Sequence, residues 1–139
     1  MSGVTLAGVH EAIAAARPDE ECLVFRDRRF SWAQVTDRTR RLANHLREAG
    51  LGCHVERSDL AGHESGQDHL AVYLHNGNES LEAMLGSLRT RVAPLNVNYR
   101  YVAEELRHLL HDSSARAIVV PSAFAPTLAD VLPDASTPT

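Results

Sequence analysis

An open, mostly parallel α/β sheet with flanking helices is the fold that this 139-residue sequence predicts. Three features point to it. From Leu70 onward, short apolar β-prone runs alternate with helical stripes in the order strand, helix, strand, helix, strand, helix, the pattern of βαβ units that cross over one parallel sheet. Ahead of them, Ser31 to Ala49 carries the strongest helix signal in the chain. A hydrophobic content of 44% over this length is enough for one domain with its own core.

The elements follow in chain order. Leu6, Val9, Ile13 and Ala16 recur at helical spacing, and Pro18 ends that helix because the residue before a proline disfavours helical geometry. Cys22 to Phe25 and Phe30, separated by Asp27-Arg28-Arg29, predict a small hairpin. Ser31-Trp32-Ala33-Gln34 fits a capping box, Trp32, Val35, Leu42 and Leu46 line one helical face, and Gly50 stands where a left-handed C-terminal residue is wanted. Arg38, Arg41 and Glu48 fall on the other face. Cys53 to Asp68 has no sustained period and predicts loop. Leu70 to Leu74 predicts a buried strand, broken by Asn76-Gly77-Asn78, after which Leu81, Met84, Leu85 and Leu88 mark a helix. Val92 to Val97 predicts a strand with a bend at Pro94. Val102, Leu106, Leu109 and Leu110 mark a further helix, and Ala117 to Val120 a further strand. Residues 1–131 therefore predict one α/β unit, and 132–139, with Pro133 and Pro138 among small polar residues, a linker or a cut end.

Composition excludes several functions. The net charge of -4 mixes both signs along the chain, with Arg26, Arg28, Arg29, Arg38, Arg40 and Arg41 as the one basic concentration, so nucleic acid is not an expected partner. No run approaches the roughly 18 to 20 apolar residues that span a bilayer, and Met1 to His10 has no signal-type pattern, so a cytoplasmic protein without a transmembrane segment is expected. Cys22 and Cys53 have no partner motif, and no disulfide or zinc knuckle is expected. All fourteen basic residues are arginines. Chemistry that needs a lysine on a phosphate or carboxylate is excluded from this polypeptide.

Several segments together resemble the adenylate-forming superfamily, specifically its acyl-CoA synthetases. Phe30-Ser31-Trp32-Ala33-Gln34-Val35 leading into Arg41-Leu42-Ala43-Asn44-His45-Leu46 is similar to the family's aromatic, Ser/Thr, aromatic, any residue, Glu/Gln, aliphatic opening and its helix. Leu74-His75-Asn76-Gly77-Asn78-Glu79, then Met84-Leu85-Gly86, is similar to its strand, asparagine turn and apolar helix. Val92 to Tyr101, then Glu104-Glu105-Leu106, is similar to its valine-rich strand, Asn-x-Arg turn and helix start. The likeness runs from about residue 6 to 133. The wording around Asn98 to Val102 and the Gly62-His63-Glu64-Ser65-Gly66 insert look most like actinobacterial fatty-acid or steroid side-chain CoA ligases.

The resemblance implies an enzyme that joins a carboxylate to the α-phosphate of ATP, with Mg²⁺, and then passes the acyl group to CoA. Such chemistry needs fixed positive charge and amide donors around the reacting phosphorus. In the family these come from a Ser/Thr/Gly-rich phosphate loop ending in Pro-Lys, a Thr-Glu pair, a ribose-binding Asp and a lysine of a small carboxy-terminal domain, all of which would lie beyond Thr139. Gly62 to Gly66 lacks a lysine and a following helix and does not serve as that loop. The resemblance thus implies the amino-terminal subdomain, inactive alone, which binds no cofactor by itself and whose partner is the remainder of the enzyme or a full-length paralogue. One site residue carries over: Arg100, at the Asn98-Tyr99-Arg100 turn, matches an arginine that contacts a CoA phosphate in some of these ligases. The competing reading pairs Arg100 with Glu104 one turn on.

Other candidates have plainer readings. His54, His63, His69 and His75, with Glu64 and Asp68, invite a metal site, but their spacing lacks the tight ligand pairs of zinc centres. His63-Glu64-Ser65 places a serine near a histidine only in sequence, and geometry defines an activated serine. Trp32 and Met84 read as core residues, and the arginines of the second helix as a solvated face. Two other functions stay open: a free-standing interaction module derived from the same subdomain, and an unrelated nucleotide-binding α/β protein, which would want a Gly-rich turn directly after a strand.

Overall fold

The computed structural model describes residues 4–132, so of the expected linker only Leu132 is described and 133–139 lie outside. Thr5 caps the first helix, α1 (Leu6–Ala16), its hydroxyl accepting from the Gly8 amide at 3.0 Å. The hairpin consists of β1 (Glu21–Phe25) and β2 (Arg28–Ser31). Its turn is shorter than the sequence suggests: Arg28 pairs with Phe25 and Arg29 with Val24, which leaves Arg26-Asp27 as the connector. A two-residue hairpin loop needs a positive φ at its first position, and Arg26 takes it at φ 58.

Helix α2 (Trp32–Glu48) starts with the full capping box: Ser31 Oγ accepts from the Gln34 amide at 3.3 Å, and Gln34 Oε1 accepts from the Ser31 amide at 2.9 Å. Gly50 follows its end at φ 79, in the left-handed region that the sequence assigned to it. Residues 53–68 are mostly loop, with one 3-10 turn at Arg57–Asp59 and a bridge between Cys53 and Gln67.

The remaining elements alternate as expected: β3 (His69–Val72), α3 (Asn78–Arg89), β4 (Ala93–Asn96), α4 (Ala103–Asp112), β5 (Ala115–Val119) and α5 (Ala125–Ala129). Both pairings of the three-stranded sheet are parallel, in the order β4-β3-β5, with Val72 opposite Asn96 on one side and Val119 on the other. The central strand is covered on both faces, which is why Leu70 to Leu74 is an unbroken apolar run. Leu70, Val72 and Leu74 pack with Leu46, Ala83 and Val92 under α2 and α3. Ala71 and Tyr73 point the other way, into Val97, Leu106, Leu128 and Val131 beneath α4 and α5. Three layers result, with helices on both sides of the sheet.

Two helical faces differ from the sequence reading. On α1, Leu6 and Val9 are exposed, and His10 and Ala14 are the buried residues. On α3, Leu81 is exposed and Met84, Leu85 and Leu88 only half-buried, whereas Asn78, Glu82, Ala83, Gly86 and Ser87 are inside. The cause is the position of α3, trapped between the sheet and α2. Its inner side must be small, so Gly86 lies against Leu42, or internally bonded, so Glu82 accepts from Arg38 at 2.7 Å and Asn78 at 3.0 Å. Among the described residues no helix is long and apolar enough to cross a membrane.

Candidate functional site

In parallel sheets, ligands collect at the carboxyl ends of the strands, where the loops to the next helices converge. Here β3 leaves through Tyr73 to Gly77, β4 through Val97 to Val102, and β5 through Val120 to Phe124. The three loops meet in an aromatic stack. The His75 ring sits 4.6 Å from Tyr99 and 4.7 Å from Phe124, and Phe124 sits 4.8 Å from Tyr73. The Tyr73 hydroxyl reaches the Tyr101 carbonyl at 3.4 Å.

Arg100 rises from this stack. Asn98 Oδ1 accepts the Arg100 amide at 3.0 Å, which folds the Asn-x-Arg segment into a side-chain-closed turn. Glu105 Oε2 accepts the Val102 amide at 3.1 Å and starts α4 directly behind it. The Arg100 guanidinium lies over the Tyr99 ring at 5.6 Å, exposed, and among the described residues it forms no ion pair with Glu104. A cation held on an aromatic face keeps its fork of donors outward, suited to a phosphate.

Beside the stack opens a cleft of about 460 Å³, lined by Phe25, Arg26, His75, Gly77, Glu79 and Tyr99. The hairpin forms its far wall. Gly77 brings the loop close to it: a Cβ there would stand 3.3 Å from the Phe25 ring. Arg28 ties the two together, donating to Asn78 Oδ1 at 2.5 Å and Glu79 Oε1 at 3.1 Å. Partial burial pushes the Glu79 carboxyl up, and hydrogen bonds from its own amide, Arg28 and Asn78 outweigh that and hold it below the usual carboxylate range.

The other sequence candidates do not converge here. His54 lies 2.6 Å from the buried Asp68. His69 contacts the Ser113 carbonyl at 2.6 Å through Nδ1 and Ser65 Oγ at 3.0 Å through Nε2, so the serine pairs with His69 and not with the adjacent His63, which is exposed. Trp32 is half-buried and tilts against His10 at 5.3 Å. Of the arginines read as a solvated face, Arg41 pairs with Asp37 on its own helix, whereas Arg38 and Arg40 tie α2 to Glu82 of α3 and Glu11 of α1. Sequence reasoning missed the stack itself. The available signal was an aromatic ring within a few residues of the end of each sheet strand, two of them, Tyr73 and His75, after β3.

A family model described as AMP-binding enzyme matches residues 10–138. The chain belongs to the AMP-binding enzyme family. Its relatives in this family include CoA ligases of actinobacteria, as the sequence resemblance implies. It is 53% identical over 130 residues to the medium-chain acyl-CoA ligase Mig of Mycobacterium avium, covering 94% of this chain and 24% of that protein. It is 34% identical over 131 residues to a medium/long-chain-fatty-acid/3-oxocholest-4-en-26-oate CoA ligase of Mycobacterium tuberculosis, covering 94% of this chain and 22% of that one. Among solved structures, a long-chain-fatty-acid CoA ligase, itself so named provisionally, from Rhodopseudomonas palustris superposes with TM-score 0.80 at 26% identity, over 96% of this chain and 30% of that one. A benzoate CoA ligase from Burkholderia xenovorans shares the fold at TM-score 0.79 and 18% identity, over 94% of this chain and 24% of its own. The chain thus spans about a quarter of the length of the curated relatives it matches.

Proposed function

We propose that this chain forms the amino-terminal subdomain, residues 1–131, of an ATP-dependent acyl-CoA synthetase. That enzyme converts a carboxylic acid, ATP and CoA to acyl-CoA, AMP and pyrophosphate through an acyl-adenylate. The 139 residues by themselves do not form the adenylate. The observation that carries this reading is a sequence matched to the family from 10 to 138 yet holding arginine as its one kind of basic side chain besides histidine. Adenylation at a phosphorus centre needs preorganised cations and amide donors, and the family's lysines have no counterpart here.

Within the assembled enzyme, Arg100 contacts a phosphate of CoA. Its support is the outward guanidinium on Tyr99 at the carboxyl edge of the sheet. Mg²⁺ and ATP are held by residues outside this chain. The partner is the rest of such an enzyme or a full-length paralogue, and it docks along β5, an edge of the sheet among the described residues, beside a groove where Leu110, Ile118, Val131 and Leu132 lie among charged and histidine side chains such as Glu104, His108 and Arg116. That same groove supports the alternative of a non-catalytic interaction module. Two free thiols, Cys22 and Cys53, fit the reducing cytoplasm.

ATP–pyrophosphate exchange with a mixture of medium- and long-chain carboxylic acids tests the reading. No exchange is expected from these 139 residues and exchange is expected from a chain extended to the length of the relatives. Carboxylate-dependent exchange by the 139 residues alone overturns it. An inactive extended chain that still binds a paralogue favours the interaction module.

A further inference from the structure

A second polar centre lies where α1, α2 and α3 meet and shares no residue with the carboxyl-edge cleft. The carboxylate of Glu11 on α1 accepts from Arg40 twice, at 3.0 and 2.5 Å, and also from Arg89 Nη1. Arg89 comes from the last turn of α3 and its side chain is only 9% exposed. Its Nε donates to Thr39 Oγ1 at 3.0 Å. Its Nη2 is buried and has no hydrogen-bond partner among the described residues. Buried guanidinium N–H groups are almost always satisfied, so an open one signals a missing acceptor.

These groups line a cleft of about 340 Å³ together with Gly8, Asn44 and Arg47. Three guanidiniums, those of Arg40, Arg47 and Arg89, face the single carboxylate of Glu11, and the surplus is two positive charges. The wall that carries Gly8 is the first turn of α1, an eleven-residue helix whose dipole adds to the positive potential there. Among the described residues the Arg47 side chain is committed only to Asn44, on its own helix, at 3.3 Å. The guanidinium N–H groups of these lining residues that Glu11, Thr39 and Asn44 leave uncommitted match the oxygens of a tetrahedral oxyanion.

We propose that this cleft is a binding site for a phosphate-type oxyanion, with one oxygen accepting from Arg89 Nη2 and the others from Arg40 and Arg47. Glu11 positions Arg40 and Arg89 and does not touch the ligand. The ligand chemistry is a phosphate monoester or inorganic phosphate, supplied either by a soluble molecule or by an anionic lipid headgroup. The proposal is independent of the synthetase reading, because no residue of the CoA-facing edge takes part.

The test is an NMR titration of the 139-residue chain with inorganic phosphate and, separately, glycerol phosphate, at fixed ionic strength against sodium chloride. Co-sedimentation with vesicles of phosphatidylglycerol in phosphatidylcholine forms the third arm. Saturable shifts centred on the amides of Gly8 and Asn44 are expected. Arg47→Gln, an exposed change that leaves the helix contacts in place, is expected to weaken the apparent affinity about tenfold, the loss typical of one charged hydrogen bond. Arg89→Lys, which keeps the charge and removes Nη2, is expected to abolish saturation. Saturation by soluble phosphates assigns a soluble ligand, and vesicle binding that Arg47→Gln reduces to the same extent assigns a headgroup. Linear shifts that chloride reproduces, or titrations that both variants leave unchanged, overturn the site.

Discussion

His10 Nε2 on α1 lies 3.0 Å from Thr36 Oγ1 on α2, inside the joint that fastens the first helix to the rest of the molecule. Burial, and then the nearby charge of Arg89, push the His10 imidazole below its ordinary value. The folded state therefore favours the neutral ring, and the unfolded chain binds the proton first as pH falls. Its contribution to stability is complete above the unfolded value of about 6.5 and is lost as pH drops through and below it. His10→Gln keeps a polar partner for Thr36 without a titrating group. Urea unfolding of the variant should show a flatter dependence on pH between about 7.5 and 5.5 than the parent. Equal slopes would reject this role for His10.

That helix also shows where the sequence stops being informative. The capping box at Ser31, the left-handed Gly50 and the alternation after Leu70 were legible because each is decided by local backbone chemistry or by a period of two or 3.6. The inward faces of α1 and α3 were not. On α1 the apolar stripe faces largely outward, and on α3 Glu82 replaces the expected leucines, because packing against α2 selects for small residues and for side chains with partners on another helix. Arg100 could be picked out from its turn. The stack of His75, Tyr99 and Phe124 on which that turn rests spans three loops, and no local pattern records such a meeting.

The crossing of α2 and α3 depends on Gly86. A Cβ at that position would stand 2.8 Å from Leu42 Cδ2, closer than real contacts allow, and 3.0 Å from its Cγ. Alanine gains about 1 kcal/mol of helix propensity over glycine, whereas overpacking costs about 1–3 kcal/mol. Gly86→Ala is thus expected to destabilise the chain by about 1 kcal/mol. In a Leu42→Ala background the same change should be neutral or stabilising, a coupling of at least ~0.5 kcal/mol in a double-mutant cycle. A rise in Tm from Gly86→Ala alone would show that the helices separate without cost.

Asp68 anchors the loop of residues 53–67 at the start of the sheet. Only 7% of its side chain is exposed, and it accepts from the Gly52 amide at 3.0 Å and from His54 at 2.6 Å, with Arg116 at 3.6 Å. Burial pushes its carboxyl up, but the hydrogen bonds of His54 and Gly52 and the charges of His54 and Arg116 hold it below the usual range. A depressed carboxylate stabilises the fold above its unfolded pKa, and that contribution disappears as pH falls through its lowered folded value. Asp68→Asn should cost about 1–3 kcal/mol at neutral pH and make the acid limb of the stability curve shallower. Faster amide exchange at His54 and Val55, whose N–H groups both point to the Gly66 carbonyl, should accompany it. Unaltered exchange there would mean that the loop is held by other contacts.

Arg100 is the residue on which the proposed function makes its most specific demand. Because its guanidinium rests on Tyr99 and is committed to no carboxylate among the described residues, its removal should leave the fold intact. In an enzyme extended to the relatives' length, Arg100→Ala should raise the KM for CoA about tenfold while leaving the rate of ATP–pyrophosphate exchange unchanged, because that half-reaction takes place before CoA enters. Tyr99→Leu removes the platform but keeps the charge, so it should produce a smaller rise in the same constant. Arg100→Lys should recover part of the loss, since an ammonium still meets a phosphate but without the fork. An Arg100→Ala enzyme with parental KM for CoA would leave the arginine as a support for its turn and assign CoA recognition to residues elsewhere in the full-length protein.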